Sequence, residues 1–154
     1  MEWNLPALFC SLCVLRDAYC VKKLNIYVTQ LLSTIMWIVK MHIDSYQFGE
    51  IVIDGVSYNS DLIILGDTIQ SNWWRKQGHY LAVEDIKVVI AAAPSVLVVG
   101  CGASGLMEVA EDTRKFLQQS GIRLEALNTK QAVSRFNELS QKGINVAAAL
   151  HLTC

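Results

Sequence analysis

Val96-Leu-Val-Val-Gly-Cys-Gly-Ala-Ser-Gly105 is the stretch on which the fold turns. Its first four residues are apolar and mostly β-branched, the pattern of a strand buried on both faces, and the glycines after it break the run. Upstream, residues 83–92 carry Ile86, Val89 and Ile90 at helical spacing, followed by Ala93, until Pro94 stops the pattern. Downstream, residues 108–120 put Val109, Thr113, Phe116 and Leu117 on one side of a helix, and Gly121 suits the left-handed residue that ends one. Residues 123–127 read as a strand. Asn128 or Thr129 then caps a helix bearing Ala132, Val133, Phe136 and Leu139, which Gly143 terminates. Residues 145–150 form a last apolar strand. Strands alternating with helices through short connections define an α/β sheet covered by helices.

The segment before this alternation is β-rich. Residues 45–59 read as a hairpin, because Glu50-Ile-Val-Ile53 and Val56-Ser-Tyr58 flank Asp54-Gly55, a two-residue turn that requires positive φ at both positions. Asp61-Leu-Ile-Ile-Leu65 is an apolar run of strand length, Gly66-Asp67 punctuates it, and residues 68–73 suggest another strand. These early strands either extend the main sheet or form a second one. A domain over residues 41–154 buries roughly two-thirds of its unfolded surface, enough to fold alone.

Residues 1–40 differ in kind. They hold three of the five cysteines (Cys10, Cys13 and Cys20), together with Trp3, Trp37 and Pro6, and carry Arg16, Lys22, Lys23 and Lys40 against only Glu2 and Asp17. Residues 24–39 are apolar but interrupted by Asn25, Thr29, Gln30, Ser33 and Thr34, and fall short of the about 20 apolar residues that a bilayer span needs. Cys10 and Cys13 have Cys-x-x-Cys spacing, yet no second pair or nearby histidine completes a zinc set, and no βαβ unit surrounds them. Globular patterning begins at Met41. Residues 1–40 are therefore expected to be a non-domain extension: a gene-start artefact, a dispensable segment, or a weakly membrane-associating one.

Composition narrows the function classes. Hydrophobic residues make up 53% and charged residues 18%, and the net charge of −1 provides no field to hold nucleic acid. Gly100-Cys-Gly-Ala-Ser-Gly105 fits the G-x-G-x-x-G pattern, with Glu125 near where a ribose-binding acid belongs. Against a dinucleotide, the helix starts only near Met107 or Glu108, the paired βαβαβ halves are missing, and Glu108, Glu111 and Asp112 would oppose a pyrophosphate. A tight structural turn accounts for the glycines better, while a small anion or metabolite could still use exposed amides.

Ser45-Tyr-Gln-Phe-Gly49, Asn72-Trp-Trp-Arg-Lys-Gln-Gly-His79, the Gly100-x-Gly102 turn and His151-Leu-Thr-Cys154 together resemble a family of small α/β domains of unknown function. A methanogen protein typifies that family, which includes the adipogenesis-associated protein and a mitochondrial complex I assembly factor. The resemblance covers residues 41–154 and implies a three-layer domain around a mixed β-sheet, with no established reaction, cofactor or catalytic residue. The assembly factor suggests an accessory role through protein contacts, although His151-Leu-Thr-Cys154 looks more like the branch with the archaeal members and the adipogenesis-associated protein. Ala110 stands where the resemblance leads one to expect proline at the start of the second helix.

Trp73, Trp74, Arg75, Lys76 and His79 form the most unusual cluster. Adjacent tryptophans on a strand face opposite ways, so one enters the core and the other, beside Arg75, becomes a recognition pair; the plain alternative is two rings covering sheet faces beside solvated charges. His151 and Cys154, with Cys101 in the turn, could pair as base and nucleophile. Three residues apart on an extended strand, His151 and Cys154 would point to opposite faces, which favours an apolar cysteine and a hydrogen-bonded histidine. The sequence thus supports a non-enzymatic binding or assembly domain in the cytoplasm, with no metal, no cofactor and no firm membrane insertion. The alternative is a small-molecule enzyme or ligand carrier that uses Gly100, Cys101, Gly102, His151 and Cys154, and it requires these side chains to share one pocket.

Overall fold

Asp54 and Gly55 adopt φ of 47° and 78°, the left-handed pair that a tight hairpin demands. The computed structural model describes residues 40–154, so the expectations for residues 1–39, including the Cys10 and Cys13 pair, lie outside the described residues. Around the turn, β1 (Ile43–Gln47), β2 (Glu50–Ile53) and β3 (Val56–Tyr58) form an antiparallel sheet in the order β1-β2-β3. Asp44 clamps the turn by accepting the Gly55 N–H at 2.7 Å. Ile51 and Ile53 alternate into the core, which gives this small sheet one buried face.

The main sheet contains β4 (Leu62–Leu65), β5 (Thr68–Ser71), β7 (Val96–Cys101), β9 (Arg123–Leu127) and β10 (Val146–His151), in the order β5-β4-β10-β7-β9. β10, β7 and β9 are parallel, whereas β4 and β5 join antiparallel, so the sheet is mixed. The two alternatives left open for the early segment each hold for part of it: β4 and β5 extend the main sheet, and β1–β3 form a second.

Period-two alternation divides β7 between two cores. Val96 and Val98 pack with Ile51, Ile53 and the residues Ala132, Phe136 and Leu139 of α3 (Thr129–Gln141). Leu97, Val99 and Cys101 pack on the other face with Trp73, Val89 of α1 (Lys87–Ala92) and Leu117 of α2 (Glu111–Gln119). The result is the three-layer α/β domain, a central mixed sheet with elements on both faces. After β7 the chain passes through α2 to β9 at the edge, then returns through α3 to β10 on the opposite side of β7. That reversal puts the switch point of the parallel strands at the carboxyl ends of β7 and β10, the end of an open α/β sheet at which ligands are held.

Several boundaries move for tertiary reasons. The helix expected from Glu108 begins at Glu111, because Glu108–Val109 is β8 and pairs in parallel with β6 (Tyr80–Leu81). Ala110 caps that helix and donates its N–H to Leu81 O at 3.1 Å, a bond proline could not make. The helix expected over residues 83–92 is a 3₁₀ turn, Val83–Ile86, followed by α1. Asn128 caps α3, accepting the Gln131 N–H at 2.9 Å. Among the described residues, no helix is long and apolar enough to cross a membrane.

Candidate functional site

β10 ends at His151, and antiparallel pairing of Leu150 with Leu62 brings the residue before β4, Asp61, alongside that end. Asp61 accepts the Leu152 N–H at 2.9 Å through Oδ1 and meets His151 Nδ1 at 2.7 Å through Oδ2. Arg75 Nη1 lies 2.8 Å from the same Oδ2. The loop that carries Arg75 is pinned by Trp73 N–H to Asp61 O (2.8 Å) and by the Trp73 indole N–H to Asp85 O (2.9 Å). Arg75 stacks over the Trp73 ring at 4.7 Å and donates Nε–H to Gly78 O, and only 6% of it remains exposed.

These contacts fix the proton positions. Burial acts to raise the Asp61 pKa, but the hydrogen bonds from His151, the Leu152 amide and Arg75 outweigh it and hold the carboxyl below its ordinary range. Asp61 is therefore an anion, and His151 Nδ1 must carry the hydrogen that faces it. Arg75 Nη2, 3.1 Å from the same nitrogen, is then a close neighbour rather than a donor to it. In the neutral tautomer with its hydrogen on Nδ1, His151 Nε2 is the lone-pair atom, and Nε2 is buried with no partner.

Past His151 the chain does not continue as a strand. Leu152 O accepts from Gly49 N–H and Tyr46 Oη–H, while Ala103 and Ser104 donate their N–H groups to Thr153 O and Cys154 O. Cys154 takes φ of 69°, and its Sγ comes within 2.9 Å of His79 Nε2. The expected separation of His151 and Cys154 to opposite faces is thus corrected: one donor atom from each of His79, His151 and Cys154 lies within 4.8 Å of the others. The two imidazole rings meet edge to face at 6.0 Å. Asp61, Trp73, Trp74, Arg75, His79 and Cys154 line a cavity of about 490 Å³ here, with His151 in its wall.

Of the two alternatives for the tryptophan pair the structure has one ring in and one out, Trp73 buried and Trp74 88% exposed, but not for the strand reason. β5 ends at Ser71, and Asn72, at φ of 56°, turns the chain, so both rings stand on a loop. Arg75 corrects the surface-pair expectation, since it is buried against Asp61 and Trp73 instead of exposed beside Trp74. The glycine turn acts as a structural turn. A Cβ on Gly102, at φ of 91°, would sit 2.5 Å from Thr153 O, and one on Gly100 would sit 2.9 Å from Thr129 Oγ1. The amides of Gly102, Ala103, Ser104 and Gly105 all donate to acceptors within the chain, which leaves no cradle for a phosphate. Cys101, beside His151 across the β7–β10 pair, lines a different cavity with Glu108 and Arg114, and burial pushes its thiol pKa up. Asp61, the hub of the site, escaped the sequence reading. Its only signal was a charged residue opening an apolar strand.

Fold and site together define a three-layer α/β domain with an acid–histidine–thiol cavity where the carboxyl end of β10 meets the start of β4. The chain matches the family described as "Protein of unknown function (DUF498/DUF598)" over residues 43–151, and it belongs to that family. An outer membrane protein from Bartonella henselae is similar at 26% identity and TM-score 0.65, over 75% of this chain and 97% of that one. A conserved hypothetical protein from Pyrococcus horikoshii is similar at 25% identity and TM-score 0.60, over 73% and 98%. The protein MT938 shares the fold at 23% identity and TM-score 0.60, over 74% and 99%. The resemblance read from the sequence is borne out, and family membership brings no assigned activity with it.

Proposed function

We propose that this domain is a binding protein whose ligand is a small, planar, polar molecule held in the cavity at the carboxyl end of β10. The observation that carries the reading is the convergence of Asp61, Arg75, His79, His151 and Cys154, from three separate chain segments, on one cavity of about 490 Å³. That volume suits a small molecule. Trp74 offers an exposed ring on which a planar group can stack, and Asp61 neutralises Arg75, so the cavity favours a ligand of low net charge. Free Cys101 and Cys154 fit a reducing, cytoplasmic setting. A screen of small polar metabolites by amide chemical shifts tests the proposal. Saturable ligands should move the amides of residues 72–79 and 151–154, and Trp74→Ala should weaken them. Shifts confined to the other cavity, or no saturable ligand at millimolar concentration, would overturn it.

The exposure of Trp74 also favours a second reading, a protein partner of the assembly or accessory kind. Affinity capture with wild type and Trp74→Ala separates the two, since a partner docked on this indole should be lost from the variant.

A further inference from the structure

We propose that His79, His151 and Cys154 bind a zinc-type transition-metal ion at the inner wall of the cavity, with Asp61 behind His151 as the group that orients it. The inference rests on the cavity of the ligand-binding reading and deepens it, because the metal supplies the inner anchor for a ligand bearing an oxygen, nitrogen or sulfur donor.

Two observations carry it independently. The first is convergence. One donor atom from each of the three side chains lies within 4.8 Å of the other two, although His79 is 72 positions from His151 and 75 from Cys154. In a tetrahedral site with Zn–S of about 2.3 Å and Zn–N of about 2.0–2.1 Å, sulfur and nitrogen ligands stand about 3.5 Å apart. His79 Nε2 is 2.9 Å from Cys154 Sγ, so the ring needs to withdraw by about 0.6 Å, a small motion for an exposed side chain on a loop. The second observation is the orphaned nitrogen. His151 is only 6% exposed, its Nδ1–H is committed to Asp61, and its Nε2 is buried without a partner. A buried polar atom left alone calls for an explanation, and a coordinated ion supplies one. Carboxylate, imidazole and metal in a row is the arrangement that fixes a ligating histidine's tautomer and raises its basicity.

The donor set indicates the metal. Two imidazoles and one thiolate suit a borderline-soft cation, and three protein ligands leave a fourth position open, as in zinc sites that bind a further molecule. Binding requires the Cys154 thiol to lose its proton to solvent, so zinc uptake releases one proton from this group. Asp61 already balances Arg75, so the thiolate's charge faces the ion.

The test uses the full chain with Cys10, Cys13 and Cys20 replaced by serine, alongside wild type, after chelator treatment. Zinc affinity is read by competition with a chromophoric chelator, cobalt serves as the spectroscopic probe, and circular dichroism confirms that each variant is folded. The expected result is one equivalent of zinc and a thiolate-to-cobalt charge-transfer band with tetrahedral ligand-field bands. Both should be abolished by Cys154→Ser and strongly weakened by His79→Ala, but kept in Cys101→Ser. Asp61→Asn should lower zinc affinity by about 10–100-fold. A missing cobalt–thiolate band, a band that follows Cys101 instead of Cys154, or an affinity indifferent to His79→Ala overturns the metal site. Saturable organic ligands without zinc binding would sink the metal proposal alone, whereas zinc bound at these residues with no organic ligand would sink the small-molecule reading alone.

Discussion

Replacing Asp61 with asparagine keeps the shape of the side chain and removes its charge. Arg75, whose side chain is 5% exposed, then lies buried beside a neutral amide, and His151 Nδ1–H and the Leu152 N–H compete for a single acceptor oxygen. Removing one member of a buried ion pair costs about 3–5 kcal/mol, because the remaining charge stays desolvated. The Asp61 side chain is 17% exposed and admits some water, which places the loss near the lower end, about 3 kcal/mol. For a domain slightly above 100 residues, at about 4 °C per kcal/mol, the melting temperature should fall by about 12 °C. Urea unfolding followed by circular dichroism measures the loss, and a cycle with Arg75→Met isolates its origin. The double variant has no stranded guanidinium, so it should cost less than the two single changes together by about 1–3 kcal/mol. A loss below about 1 kcal/mol for Asp61→Asn, or strict additivity in the cycle, would refute the view of Asp61 as the charge that holds the site together.

Acid titration tests the same carboxylate. The folded-state pKa of Asp61 is lowered, so its stabilising contribution is full above the ordinary aspartate value of about 3.9 and disappears as pH falls through the lower folded value. The stability gap between wild type and Asp61→Asn should therefore stay level from neutral pH down to about 4 and close below it; a gap that closes between pH 7 and 5 would contradict the assignment. Gly102→Ala should destabilise by about 2 kcal/mol or more, since a Cβ there combines φ of 91° with a 2.5 Å approach to Thr153 O. A neutral effect in thermal unfolding would show that the turn tolerates a side chain. In metal-free protein, iodoacetamide should label Cys154 roughly tenfold faster than Cys101, whose thiol is buried with a raised pKa, as peptide mapping would show. Equal rates would place Cys101 within reach of solvent.

The elements legible in advance were those whose signals are local. Asp54-Gly55 specifies its hairpin because few residue pairs accept positive φ twice. Val96 to Val99 and Val146 to Leu150 declare buried strands through unbroken apolar runs, and Asn128 announces the start of α3. The two-residue strands β6 and β8 were invisible, since each is defined only by the other, across 28 positions of sequence. Their pairing also shortened α2. Strand alternation would separate Trp73 from Trp74, but it is the turn at Asn72, beyond the end of β5, that buries one ring and exposes the other.

What the sequence alone determined is the layered α/β architecture and the places where glycine must turn the chain; it offered Trp73, Trp74, Arg75, His79, His151 and Cys154 only as separate candidates. The tertiary structure alone decided how they meet. Antiparallel pairing of β4 with β10 delivers Asp61 to His151, and the amides of the glycine turn hold the Thr153 and Cys154 carbonyls so that the thiol folds back toward His79. Periodicity records which face of an element is buried, but a site assembled from residues 61, 75, 79, 151 and 154 depends on which strands become neighbours, and long-range pairing leaves no local trace in the chain.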